Sequence, residues 1–237
     1  MIAAPVTGLE FPKIETLYVR DDTTHHLKPE LILKSPVYGL IKTWQWTEKI
    51  DGTNIRIIFN RPVGEDAPPA SVILGGRTNN AQLPGDLVNT LNRDLTPEVF
   101  TAAFPDPGVE SVTVFGEGYG AGIQKDGGFY IGSVEELKAI QKRGEPTKRF
   151  IVFDVLVNGT WWLDWPNVCD VAAKLNLPVV PFLSECSLEE MTRVVQRGFL
   201  SRLCNCKNAE GAVGRTAQPL FDSRGHRLIV KLKTKDF

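Results

Sequence analysis

The apolar positions of this chain fall into short runs with two different periods. Residues 43–48 and 53–59, rich in Thr, Trp and Ile, read as two strands parted by the turn Lys49-Ile-Asp-Gly52. Residues 60–69 are polar and carry three prolines, so a loop is expected there. A further strand is expected at 71–74, and 95–104 reads as a short helix after Thr96-Pro97. Residues 112–115 and 150–157 are β-branched apolar runs of buried-strand length. Helical spacing returns at 168–175 and 188–200, and Ser187 with Glu190 forms a capping box for the second of these. Strands at 211–215 and 227–232 close the chain; in the last, Ile229 alternates with Leu228 and Val230, and Lys231 and Lys233 face away from Leu232.

Strands outnumber helices, and the helices lie between them without a regular βαβ rhythm. The expected class is therefore α+β, with antiparallel sheets and flanking helices. No internal repeat, low-complexity tract or linker divides the sequence, and one domain over residues 1–237 is expected. Apolar runs such as Phe150-Ile-Val-Phe153 are far too short to cross a bilayer. No charged-then-apolar leader opens the chain, and four cysteines do not suggest a disulfide scaffold, so a cytoplasmic protein is expected, with no membrane partner.

A net charge of −1 argues against a protein that holds nucleic acid by bulk basicity. The distribution changes that picture. Residues 193–235 contain ten basic side chains and two acidic ones, a local +8 that leaves −9 for the remainder. One end of the chain can thus supply an anion-binding wall.

The glycines at 116, 118, 120 and 122 fit neither a dinucleotide fingerprint nor a phosphate-binding loop of the Walker kind. Cys204-Asn-Cys206 lacks the second ligand pair that a zinc site needs. His25 and His26 read as a surface pair, and His226 as a strand-end residue. The informative string is Glu48-Lys-Ile-Asp-Gly-Thr-Asn54, in which a glycine turn presents a lysine amine at the lip of a strand. Alone it is weak, but Phe115-Gly-Glu-Gly118, Phe153-Asp154, Glu210-Gly211 and Lys231-Leu-Lys233 follow it in order.

This ordered set resembles the covalent nucleotidyltransferase superfamily, which includes ATP-dependent ligases and mRNA capping enzymes. The Lys49 string is similar to its motif I, residues 115–118 to motif III, 151–155 to motif IIIa, 210–213 to motif IV and 230–233 to motif V. Within the superfamily the chain most resembles phage-type RNA ligases of the RNA ligase 2 kind. Thr53-Asn54 after the glycine, the entry segment from Phe11 to Leu17 and the terminal Lys-Leu-Lys-Thr-Lys-Asp-Phe237 carry that choice. The chain stops four residues after Lys233, so a minimal nucleotidyltransferase domain with no appended OB-fold is expected.

The resemblance implies an ATP-dependent RNA ligase that joins a 3′-OH to a 5′-phosphate through a lysyl-AMP intermediate. It makes Lys49 the nucleophile, with Lys231 and Lys233 lowering its pKa and stabilising charge on the α-phosphate. Glu210 is expected to hold Mg²⁺ or Mn²⁺. The implied ATP-binding residues are Glu48 (adenine edge), Lys49, Ile50, Asn54, Arg77 (in Gly75-Gly-Arg-Thr-Asn79), Glu117 (ribose hydroxyls), Phe153 (adenine stacking), Glu210, Lys231 and Lys233. A DNA ligase core, a capping guanylyltransferase and an inactive nucleic-acid-binding module remain as alternatives.

Overall fold

The computed structural model describes residues 9–24, 26–204 and 206–237; His25 of the paired histidines lies outside them. Among the described residues, ten strands occur in chain order. They are β1 (Glu15–Thr16), β2 (Trp44–Lys49), β3 (Thr53–Asn60), β4 (Ser71–Gly76), β5 (Ser111–Gly120), β6 (Lys148–Val157), β7 (Trp161–Trp162), β8 (Phe182–Cys186), β9 (Gly211–Arg215) and β10 (Ile229–Lys233). Five helices accompany them: α1 (Gly85–Asp94), α2 (Pro97–Ala103), α3 (Val134–Lys142), α4 (Trp165–Lys174) and α5 (Leu188–Arg197). The α+β class with antiparallel sheets holds; among the strand pairs of the described residues, β1 with β10 is the one parallel pairing, and an isolated parallel bridge joins Val152 to Val179. Among the described residues, no helix is long and apolar enough to cross a membrane.

The described residues form two compact units, one containing residues 9–12 and 51–179, the other residues 13–50 and 180–237. In the first unit, β4, β3, β5, β6 and β7 form one sheet in that order. Its strands β3, β5 and β6 are buried along most of their length, which is why they read as near-continuous apolar runs. Phe59 of β3 stacks on Phe100 of α2, ring centroids 5.2 Å apart. The sequence reading stopped β5 at residue 115; it runs to Gly120, its second half disguised by glycines.

In the second unit the sheet order is β1, β10, β9, β2, β8. Alternation puts Trp44 and Trp46 of β2, Ala212 of β9 and Leu232 of β10 in one apolar cluster with Leu188, Met191 and Val195 of α5. The expected capping box is present: Ser187 Oγ accepts from Glu190 N, and Glu190 Oε2 accepts from Ser187 N. The helix ends at Arg197 rather than 200 because Gly198, at φ 73°, turns the chain. Helices α1 and α3 and strand β8 had no place in the sequence reading. α1 lacks a side-chain cap and buries only Leu87 and Leu91, too faint an apolar stripe to read.

Candidate functional site

β9 lies between the two strands that carry lysines. Lys49, the last residue of β2, pairs with Gly211, and Gly211 pairs on its other side with Lys233 of β10. The β9–β10 approach leaves no room for a side chain at 211: a Cβ there would lie 1.9 Å from the Leu232 carbonyl oxygen. Glu210, just before that glycine, sets its carboxylate between the two amines. Oε2 is 2.6 Å from Lys49 Nζ and Oε1 is 2.7 Å from Lys233 Nζ. Burial pushes the Glu210 carboxyl upward, but Lys49 and Lys233 together overcome this and hold it below the usual carboxylate range.

Lys231, two residues before Lys233, shares its face of the strand and makes no ion pair among the described residues. Burial, reinforced by the charges of Lys233 and Lys49, draws its pKa down to about 8. Beside it a cavity of about 310 Å³ is lined by Lys13, Glu15, Arg20 and Lys34. Lys34 pairs there with Glu15, and Arg20 with Asp236. Sequence reasoning expected Lys231 and Lys233 to crowd Lys49 directly. The structure instead interposes Glu210 between Lys49 and Lys233, and the amine left without a carboxylate is Lys231.

Glu48 points to the opposite face of β2, the face of Trp44 and Trp46. It is fully buried; its Oε2 accepts from Arg202 N at 2.7 Å, while Oε1 has no donor. Burial pushes its pKa up, against the hydrogen bonds from Ser201 and Arg202. Ile50 is buried where β2 ends.

Asn54, Arg77, Glu117 and Phe153 belong to the other unit. Asn54 and Glu117 face each other across β3 and β5, and Asn54 Oδ1 is buried without a donor. The β5–β6 register slips so that Asp154 opposes Phe115 and Val152 opposes Gly116, which leaves Phe153 as the extra residue of a bulge. Bulges re-aim side chains and gather at sites. Phe153 is half-buried, edge-on to Phe11 with centroids 5.0 Å apart. The turn Asp51-Gly52 is tied down from the same unit: Asp51 N donates to Tyr130 Oη and Gln124 Nε2 to the Gly52 carbonyl. A Cβ at 52 would lie 2.2 Å from the Gly118 carbonyl oxygen, so the motif demands glycine where β5 passes.

Arg77 is exposed just past β4. Two residues on, Asn79 Oδ1 accepts from a residue the sequence reading missed, Arg56, whose guanidinium is fully buried. Its signal was there: one cation inside the apolar run Ile55-Arg-Ile-Ile-Phe59. Among the described residues no group of three His, Cys, Asp or Glu side chains could cage a metal. Cys204 and Cys206 pair with each other as a disulfide, a local link that ties no distant strands together.

No curated protein matches this chain. Solved structures of Naegleria gruberi RNA ligase share its fold. A lysine-to-alanine mutant with ATP and Mn aligns at TM-score 0.56 and 15% identity, over 99% of this chain and 62% of that one. A glutamate-to-alanine mutant with AMP and Mn gives 0.57 and 14%, over 99% and 61%. The form with PPi gives 0.54 and 16%, over 99% and 61%. The chain thus spans about three fifths of the length of these structures. A family model described as RNA ligase matches residues 42–233, from the start of β2 to the end of β10. The chain belongs to the RNA ligase family.

Proposed function

We propose that this protein is an ATP-dependent RNA ligase that works through a lysyl-AMP intermediate. The observation that carries the reading is the Lys49–Glu210–Lys233 cluster with Lys231 on the same sheet. The likeness of fold to a ligase solved with ATP, AMP and PPi supports the choice of nucleotide.

In the first step the neutral Lys49 Nζ attacks the α-phosphorus of ATP. The bond to the bridging oxygen breaks, pyrophosphate leaves, and Nζ gives up one proton as the phosphoramidate forms. Lys233 and Lys231 balance the charge that gathers on the phosphoryl oxygens. The cavity lined by Lys13, Arg20 and Lys34 offers cations to the departing phosphates. An oxygen of an RNA 5′-phosphate then attacks the AMP phosphorus, the P–N bond breaks, and Lys49 takes back a proton. Last, a 3′-OH attacks the activated 5′-phosphate, expels AMP and closes the phosphodiester.

Lys49 cannot act while its charge is held by Glu210, so release from that pair precedes attack. Glu117 accepts from the ribose hydroxyls, with Asn54 and Arg77 at the sugar and phosphate; Phe153 stacks on adenine and Ile50 packs beside it. Glu210 suits a divalent cation that keeps most of its waters, because one hard carboxylate with no acidic cage is the donor set such an ion tolerates. When bound, Mg²⁺ or Mn²⁺ supplies charge neutralisation at the phosphates.

The test is incubation with α-labelled ATP and Mg²⁺ followed by a denaturing gel. Label should stay on the wild-type chain and be absent from Lys49→Ala. An unlabelled wild type, or equal label on both, refutes the assignment. Nicked duplexes with RNA or DNA on the 3′-OH side then test the preference for RNA ends.

A further inference from the structure

The hairpin that joins β9 to β10, residues 216–228, has no part in the reaction above. It is closed by its own hydrogen bonds. Leu228 N donates to the Leu220 carbonyl at 2.7 Å, Asp222 N to the His226 carbonyl at 2.8 Å, and Gly225 N to the Asp222 carbonyl at 3.0 Å. Phe221 and Arg227 form an isolated antiparallel bridge. The one acidic side chain, Asp222, is consumed by the turn: Oδ1 accepts from Arg224 N and His226 N, and Oδ2 lies 3.2 Å from His226 Nδ1.

What remains pointing outward is an aromatic ring among cations. Phe221 is 48% exposed, and Leu220 beside it 44%. Arg224 and His226 are exposed and Arg227 is half-buried. A hydrogen-bonded turn that shows a ring, the exposed Arg224 guanidinium and no spare carboxylate has the two elements that hold a single strand, a stacking platform and a phosphate partner. The hairpin leaves the sheet at Arg215 and Ile229, whereas Lys49 and Lys233 sit at the Gly211 end. Four residue steps along β10 amount to ~13 Å, which corresponds to roughly four nucleotides at the rise per nucleotide of one duplex strand.

We infer that this hairpin holds a flank of the RNA substrate. Phe221 stacks on an unpaired base, and Arg224 takes a neighbouring phosphate, at least about four nucleotides from the ends being joined. The inference rests on the RNA ligase reading and adds a substrate-binding surface to it.

The experiment measures three quantities in the full chain carrying Phe221→Ala, Phe221→Trp or Arg224→Ala. Adenylylation by labelled ATP alone should equal wild type in all three, since the hairpin does not serve that step. Affinity for an RNA with flanks of twelve or so nucleotides should fall roughly 10-fold in Phe221→Ala and recover in Phe221→Trp. Arg224→Ala should lower the salt dependence of binding by about one phosphate contact. With flanks of three nucleotides or fewer the variants should match wild type. Unchanged affinity for long RNA in Phe221→Ala and Arg224→Ala overturns the inference. So does an equal loss on short and long flanks, or loss of a protein partner with RNA binding intact. A wild type that forms no adenylate would defeat the ligase reading instead, and the binding measurement separates the two failures.

Discussion

The two units hold their candidate site residues by different means. In the unit built on β2, β9 and β10, charge does the positioning: one carboxylate, Glu210, fixes two lysines, and a third, Lys231, is left unbalanced on the same face. In the unit built on β3, β5 and β6, shape does it. Gly52 lets the turn touch the Gly118 carbonyl, a bulge turns out Phe153, and Arg56 is buried against Asn79. Substitutions in the first unit should therefore change chemistry and pH dependence with modest effects on folding. Those in the second should act first on stability.

The sharpest break is Lys49→Ala, which should remove adenylate formation entirely while the protein unfolds at nearly the wild-type temperature. Lys233→Ala comes next. If Lys233 balances charge on the α-phosphate as proposed, its loss should slow adenylylation by roughly 10²–10³-fold, seen in single-turnover labelling; a wild-type rate would take Lys233 out of the chemistry. Gly52→Ala probes the other unit. Its Cβ would meet the Gly118 carbonyl at 2.2 Å, so thermal or urea unfolding should show a loss of about 1–3 kcal/mol. An unchanged midpoint would mean that shape is not what fixes this turn.

Lys231 tests the charge side more gently. Its pKa of about 8 lies below the ordinary lysine value of 10.5, so the folded protein sheds this proton first. Between about pH 8 and 10.5 the unfolded chain holds more protons, and the group's contribution to stability rises with pH across that window. Function runs the other way. As Lys231 neutralises, kcat/KM for ATP should fall above about pH 8, and Lys231→Arg should move that limb upward. The smallest effect should come from Arg202→Ala. Glu48 is anchored by the backbone N–H of residue 202 rather than its side chain, so unfolding should shift by less than about 0.5 kcal/mol.

The same contrast explains what the sequence disclosed. β9, β10 and the buried stretch of β6 were legible because apolar alternation or a dense β-branched run marks them. Lys49, Glu210 and Lys233 were legible as types in order, yet that one carboxylate bridges both amines depends on β9 pairing with β2 and β10 at once, and no local pattern encodes it. Phe153 was legible as an aromatic but not as the residue of a bulge, because bulges follow from register. Arg56 was overlooked because periodicity reads a lone cation within Ile55–Phe59 as noise, when its rarity was the signal.

The central position of β9 also fixes the order in which the protein can come into being. Lys49 leaves the ribosome 161 residues ahead of Glu210, and Lys233 follows later still. Residues 51–179, a nearly self-contained unit, lie between them in the chain and can fold while β2 still lacks its central neighbour. The Lys49–Glu210 contact spans 161 residues of sequence, so this half of the lysine cluster forms late. Under the proposed mechanism, a chain that has not yet reached β10 would lack the assembled cluster, so its Lys49 amine would not yet react with ATP.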